Sequence, residues 1–390
     1  VHTVYEEIIE KLDLQMNRMI SFLSKKMRLF FQDLEKRFTN RAILLYGPRG
    51  AGKTTFLLSM ARKHGFLYVS GDEILLLDVP LHDLFQEIMK NYPGIIIDEV
   101  HLLKNWSTIL KVLYDSFPDK VIWTSDSSSV LLRKGISDLS RRFVLIRMPL
   151  MSFREFIHFE TGKTLRKLSS PFEVSIDYAA EALKEVDLMS LFRKYRETGT
   201  RPFYVEGNFR EKLMNILQKA IYYDVPHFLG TVTENHLGVM KAIVGHLLHS
   251  KIPTINVESM CREWGVGKQK FYQLLQTMEE IELVNIVREK RVEKPFSKGE
   301  KIFLSDPAMY YAFEGEIGNF REAFVVFALK EIGKIYAVKN EEEGDYVFEG
   351  IKIEVGGKSK KKKSSDFVIR DDVDLPVRNV IPMWMLGMLW

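Results

Sequence analysis

Residues 41–54 read Arg41-Ala42-Ile43-Leu44-Leu45-Tyr46-Gly47-Pro48-Arg49-Gly50-Ala51-Gly52-Lys53-Thr54. The apolar run Ala42–Tyr46 has the character of a strand buried on both faces, as in a parallel sheet. The next eight residues, Gly47 to Thr54, satisfy G-x-x-x-x-G-K-[ST] in full, Gly47 to Thr55 are the candidate nucleotide contacts, and Thr54 to Lys63 has helical spacing. A buried strand, a glycine-rich turn and a helix are the context this motif requires. The glycines let backbone N–H groups turn inward onto phosphate oxygens. The helix start adds its positive dipole end. Lys53 is then expected to reach the β- and γ-phosphates, and the Thr54 hydroxyl to ligate Mg²⁺. The alternative, a chance glycine turn, explains neither flank.

Working outward, short apolar runs alternate with helical spacing as far as about residue 150. Phe66–Val69, Ile95–Ile97, Val121–Thr124 and Arg142–Met148 read as further strands, with helices at 81–89 and 106–117 between them. This alternation predicts βα crossovers and a parallel sheet, hence an α/β class. Ile95-Ile96-Ile97 ends in Asp98-Glu99. Two acids closing a buried strand are costly without a cation. With a metal nearby, Asp98 is placed to hold its shell and Glu99 to activate the attacking water. Thr124-Ser125-Asp126-Ser127-Ser128-Ser129 closes the next strand, at the edge where parallel sheets bind ligands. Thr124 is thus a candidate contact to nucleotide. The same residue types also cap helices. Arg141-Arg142 offers a cation for transition-state charge, with Arg142 acting in cis or on a neighbouring subunit, or else a plain surface pair.

Length and composition set outer limits. The 390 residues predict two or three domains. Lys+Arg number 56 and Asp+Glu 52, so no global basic field points to nucleic acid, and any such surface is local. A single cysteine, Cys261, excludes an intramolecular disulfide framework and a Cys-rich zinc site, and fits a reducing compartment. No apolar run is long enough to span a membrane. The N-terminal stretch is charged from Glu6 onward, unlike a signal peptide, so the expected location is cytoplasmic. Residues 1–40 read as helix, with Ile8, Ile9, Leu12, Leu14, Met19, Ile20, Leu23 and Met27 at helical steps.

Residues 252–305 have the pattern of a winged helix. A helix over Glu258–Glu263 is followed by Gly265-Val266-Gly267 and a second helix over Lys268–Glu280 with Phe271, Leu274, Leu275 and Met278 on one face. Two strands would flank a wing carrying Arg288, Lys290, Arg291, Lys294 and Lys298. Lys268 and Lys270 at the head of the second helix suit contact with double-stranded DNA. Winged helices also pack protein against protein, and Glu279, Glu280 and Glu282 oppose the charge. The run Lys360–Lys363 reads as a solvated loop. The apolar tail from Met383 to Trp390 reads as core or as a partner interface.

Taken together, these residues resemble the prokaryotic AAA-type ATPases that carry a C-terminal DUF4143 domain. Asp98-Glu99-Val100-His101 with Trp106 is similar to the family's "DE-(I/V)-(Q/H)…W" segment. Thr124–Ser128 is similar to its "TGSSS" segment, with Ser125 and Asp126 in place of Gly and Ser. Ser152-Phe153-Arg154-Glu155-Phe156 resembles "PLSFREF", and counting back from it puts Arg142 on the arginine of the "GR" pair. Thr200-Arg201-Pro202 is similar to the "GG-x-P" turn. The resemblance implies ATP rather than GTP, and an AAA-like core over 41–160 after an N-terminal helical segment, 1–40. It further implies a helical region over 161–250, a winged helix over 251–310 and a small α/β domain over 311–390. It also implies assembly with further copies or a protein partner. Many relatives end in a PD-(D/E)xK nuclease-like fold. The matching acids here are Glu322, Asp345 and Glu354, but Gly356 stands where the lysine belongs. Lys358 follows two residues later, so a degenerate or at best weak nuclease, or a structural domain with surface acids, is expected there, and an ATP-gated nuclease is the disfavoured alternative.

Overall fold

The computed structural model describes residues 2–128, 136–251, 253–290, 300–357 and 364–390. Lys294, Lys298, Arg291, Ser129 and Lys360–Lys363 lie outside the described residues. The chain divides into two compact units, Val1–Pro149 and Leu150–Trp390.

In the first unit, α1 (His2–Ser21) and α2 (Phe30–Arg37) precede β1 (Ala42–Tyr46), α3 (Lys53–His64), β2 (Leu67–Ser70), α4 (Gly71–Ile74), α5 (Leu81–Asn91), β3 (Gly94–Asp98), a 3₁₀ turn (Val100–Leu102), α6 (Trp106–Ser116), β4 (Val121–Ser125), α7 (Ile136–Leu139) and β5 (Val144–Arg147). All five expected strands form one sheet in the order β2-β3-β4-β1-β5. Every pairing is parallel. Ile43, Leu44, Leu45, Ile95, Ile96 and Ile97 are fully buried, which is why their runs carry no polar alternation. Because β4 stands between β1 and β3, the loop after β1 and the acids after β3 flank the end of β4.

The single helix expected over 1–40 is corrected to two. The segment 22–29 interrupts it, and α2 then turns Phe31 and Leu34 into the core. Phe31 and Phe38 contact Phe56 of α3 at centroid distances of 5.3 and 4.9 Å. Phe38 also meets Trp123 at 4.9 Å. The helix that follows the glycine-rich turn therefore rests on an aromatic floor supplied from the N-terminal segment.

The second unit begins with helices, as expected: α8 (Phe153–Thr161), α9 (Ile176–Glu185), α10 (Leu188–Thr198), a 3₁₀ turn (Pro202–Glu206), α11 (Phe209–Lys219), a π turn (Ala220–Asp224), α12 (Val225–Phe228) and α13 (Glu234–His249). Ser152 opens α8 with a reciprocal capping box to Glu155. Next come α14 (Val257–Trp264), α15 (Lys268–Glu280), and the antiparallel pair β6 (Val284–Val287) and β7 (Lys301–Leu304). The chain continues through α16 (Ala308–Ala312) and α17 (Ile317–Ile332). A mixed sheet of β8 (Ile335–Ala337), β9 (Tyr346–Phe348), β10 (Ile351–Val355), β11 (Phe367–Arg370) and β12 (Val380–Pro382) comes next, then α18 (Met383–Leu386). The apolar tail belongs to the core of this unit. Trp384 and Trp390 are 1 % and 6 % exposed, and the Trp390 ring meets Phe327 at 5.3 Å.

Candidate nucleotide and metal site

The loop from Gly47 to Lys53 joins β1 to α3. Gly47 has φ +150°, and a Cβ there would sit 2.3 Å from the Met148 carbonyl oxygen. Only a residue without a side chain lets the loop start this close to the end of β5. Lys53 opens α3, and its Nζ donates to the carbonyls of Gly47 at 2.8 Å and Pro48 at 3.0 Å. Burial pushes the Lys53 ammonium down to about 8, against the opposing pull of Asp98. Thr55 lies in the first turn of α3.

Asp98, 4 % exposed at the end of β3, is the hub of the acid side. Its Oδ2 accepts from the Thr54 hydroxyl at 2.7 Å and the Tyr68 phenol at 2.6 Å. Its Oδ1 accepts from the Ser125 hydroxyl and from the Glu99 amide at 3.1 Å. Burial beside Asp98 keeps the Tyr68 phenol protonated, so its hydroxyl donates to Asp98. The two residues expected to share a metal are thus already joined, and the oxygen set of a hydroxyl and a carboxylate suits Mg²⁺.

Glu99 follows in the left-handed region at φ 49°, which turns its side chain away from the strand direction. Gly71 makes room for that turn. A Cβ at Gly71 would lie 2.6 Å from the Glu99 carbonyl oxygen. The Glu99 carboxylate pairs with Arg49 Nη1 at 3.0 Å, so a residue of the phosphate loop holds the expected base. Two residues on, the imidazole Nδ1 of His101 lies 2.8 Å from Asp126 Oδ1, with both side chains buried. The acid turn after β3 is thereby tied to the segment after β4.

Two expected site residues are engaged elsewhere in the structure. Thr124 is fully buried, and its Oγ1 donates to the Ile43 carbonyl at 3.3 Å. Its side chain is spent on β1, and its neighbour Ser125 reaches the site instead. Arg142 lies two residues before Val144, which pairs with Ile43 near the start of β1. Since the phosphate loop follows the other end of β1, roughly 13 Å of strand separates the two. Arg142 instead holds Asp115 bidentately, at 2.9 and 3.0 Å. A role in cis does not fit that placement. Sequence reasoning also misses Tyr68, which sits in an apolar run and reads as core.

In the second unit the helix–turn–helix segment neutralises part of its own charge. Lys268 pairs with Glu258 at 2.7 Å and Arg288 with Glu279 at 2.7 Å. Of the acids expected from the resemblance, Glu354 is buried in β10, Glu322 and Asp345 both face Lys301, and Asp345 Oδ2 accepts from the Val355 amide at 2.8 Å. A cation is already among them. Lys301 Nζ of β7 lies 3.0 Å from Glu322 and 3.6 Å from Asp345, and the Tyr346 phenol donates to Glu322 at 2.5 Å. Among the described residues, no helix is long and apolar enough to cross a membrane, and no cluster of three or more His, Cys, Asp or Glu has metal-binding geometry.

Comparison with known proteins places these features. An uncharacterized protein of Methanocaldococcus jannaschii, MJ1637, is 28 % identical over 293 residues, 68 % of this chain and 61 % of its own length. A second from the same organism, MJ1544, is 22 % identical over 331 residues, 80 % of this chain and 71 % of its own. The chain thus spans about three fifths of the length of the first of these relatives. Among solved structures, the Walker-type ATPase PABY2304 of Pyrococcus abyssi aligns with a TM-score of 0.41 at 13 % identity, covering 73 % of this chain and 94 % of that one. The RuvB Holliday junction branch migration motor of Thermotoga maritima aligns at 0.32 and 15 %, covering 78 % and 95 %. Residues 39–157, which hold the whole phosphate loop and its acid strand, match the family model described as an AAA domain.

Proposed function

We propose that the chain binds ATP with Mg²⁺ and hydrolyses it, and that turnover moves the unit over residues 150–390. One observation carries the reading: Thr54 and Asp98 are hydrogen-bonded to each other beside a loop whose lysine is sequestered at its mouth. The loop amides and Lys53 bind the phosphates. Thr54 and Asp98 would hold the metal, whose charge offsets that of the phosphate oxygens. Tyr68 and Ser125 orient Asp98. Glu99 takes the proton from the attacking water once its carboxylate leaves Arg49. Steady-state hydrolysis by the wild type, set beside variants of Glu99 and Lys53, is the test.

The Arg49–Glu99 pair favours a second reading, a nucleotide-gated switch with little turnover. While Arg49 holds the carboxylate, water activation is blocked. ATP bound with no measurable hydrolysis would select that reading.

Arg142 enters this scheme from a neighbouring copy. Arg142→Ala is expected to lower turnover ~10²-fold while leaving ATP binding intact. Mixing Arg142→Ala with Lys53→Ala should restore activity, because each supplies the part the other lacks. A mixture as inactive as its components would remove the trans role.

The output we propose for residues 252–305 is double-stranded DNA. Lys270 lies in the first turn of α15, and Lys268, its first residue, can exchange Glu258 for phosphate at little cost on an exposed surface. Lys268→Glu with Lys270→Glu should abolish a duplex gel shift at low salt. Milder changes should lower the salt slope by about one per lost contact. No wild-type shift at low salt would point to a protein partner. For the acids at Glu322, Asp345 and Glu354 we propose a structural role, since Lys301 already supplies positive charge beside Glu322 and Asp345.

A further inference from the structure

The connection between α1 and α2 lies before residue 39, where the match to the AAA domain begins. Within it, Arg28 is only 2 % exposed. A guanidinium is costly to bury unless its donors are engaged. Nη1 of Arg28 donates to the Ala51 carbonyl at 2.7 Å and to the Pro149 carbonyl at 2.8 Å. Ala51 is the fifth residue of the phosphate loop and is itself fully buried. Pro149 is the last residue of the first unit, two beyond β5.

The same exit segment is fastened to the start of the loop as well. The Met148 amide donates to the Tyr46 carbonyl at 2.8 Å, and the Met148 carbonyl fills the space beside Gly47 where a Cβ would stand. Segment 148–149 therefore meets the loop directly at Gly47, and through Arg28 at Ala51. One nitrogen bridging two carbonyls from different elements is a clamp, and a charged donor makes both bonds strong. The Phe30 ring stands 5.7 Å from the guanidinium, and Phe31 of α2 packs under α3. Phe30 and Phe31 are consecutive residues of α2, so the clamp adjoins the aromatic floor beneath the phosphate-binding helix.

We propose that Arg28 is a positioning residue for nucleotide binding. It holds the phosphate loop at Ala51 against segment 148–149, so that loop geometry and the path by which the chain leaves the sheet are set together. This rests on the loop being the ATP site. Without the clamp the loop amides must be ordered when nucleotide arrives, and that ordering opposes binding. Ala51 lies in the loop and Pro149 in the exit segment, both outside the acid turn, so loss of these two bonds acts on affinity more than on the chemical step.

The test titrates a fluorescent ATP analogue with Mg²⁺ into wild type, Lys53→Ala, Arg28→Met and Arg28→Lys, with steady-state hydrolysis alongside. Arg28→Met is expected to raise Kd and KM at least ~10-fold and to change kcat at saturation less than ~3-fold. Arg28→Lys, whose ammonium keeps the charge on a shorter side chain that does not reach both carbonyls, should fall between wild type and Arg28→Met. A merely structural role would lower the melting temperature and leave the Kd of the folded protein at its wild-type value, and that result overturns the inference. If Arg28→Met does not fold, Arg28→Lys decides, because wild-type affinity in that variant overturns the clamp. Failure of the wild type to bind nucleotide, to the same degree as Lys53→Ala, would overturn the ATP-site reading and this inference with it. Wild-type binding with unaltered Arg28 variants overturns this inference alone.

Discussion

Glu99→Gln is expected to bind ATP as the wild type does and to hydrolyse it ~10²–10⁴-fold more slowly, the range a positioned general base contributes. The substitution keeps the size and planarity of the side chain and removes its capacity to take a proton. It also weakens the ion pair with Arg49, now 3.0 Å away, and leaves a neutral acceptor in place of the carboxylate. These two effects act on different steps. Release of Arg49 toward a phosphate favours ATP binding, whereas loss of the base stops turnover. ATP held at least as well as by the wild type, with negligible release of phosphate, is therefore the signature, read by nucleotide titration and a phosphate assay on the same sample. Equal hydrolysis by variant and wild type would remove Glu99 from the mechanism. The backbone supports the special status of this residue. A glutamate held at φ 49° between a buried strand and a 3₁₀ turn is strained, and Gly71 is needed to accommodate it.

How much of this is legible in the sequence depends on the range of the interaction. All five strands of the first sheet are readable, because a strand buried on both faces is a continuous apolar run bounded by turn residues. Lys53, Thr54, Asp98 and Glu99 are readable because local chain order fixes them to a turn and a strand end. Sequence alone does not choose between Thr124 and Ser125. In a strand, adjacent side chains point to opposite faces, so choosing between Thr124 and Ser125 requires the register with β1 and β3, which composition does not carry. Arg142 needs the strand order as well. Its distance from the loop follows from β5 lying beside β1 with Val144 opposite Ile43. Tyr68 has the sequence surroundings of a core residue, and only its hydroxyl, which ends on Asp98, assigns it to the site. Lys301 is 21 residues from Glu322 and lies in β7, while Asp345 precedes β9 of another sheet, so sequence spacing does not bring it to these acids. Arg28 is hidden inside a helical pattern that the chain in fact interrupts.

Lys53→Ala is expected to abolish nucleotide binding. In the structure the ammonium bridges the carbonyls of Gly47 and Pro48, across the mouth of the loop whose amides are to receive the phosphates. On binding it trades those carbonyls for phosphate oxygens. Removing one partner of a buried charged hydrogen bond costs about 2–5 kcal/mol, a ~30- to ~4,000-fold loss in affinity. The substitution also deletes the nitrogen that tethers the two ends of the loop, so the preorganisation of the amides falls with the charge. Both effects act on the same side, which is why the loss should be near complete at millimolar ATP. The fold should persist. Phe56, Leu57, Leu58 and Met60 keep α3 in the core, and the aromatic floor beneath that helix is built from Phe31, Phe38 and Phe56. Circular dichroism should therefore match the wild type while the titration is flat. The two variants separate binding from chemistry in this way. Lys53→Ala loses ATP and with it any stabilisation of the melting temperature by Mg–ATP, whereas Glu99→Gln keeps that stabilisation and loses only turnover. A Lys53→Ala protein still stabilised by Mg–ATP would mean that the nucleotide sits elsewhere.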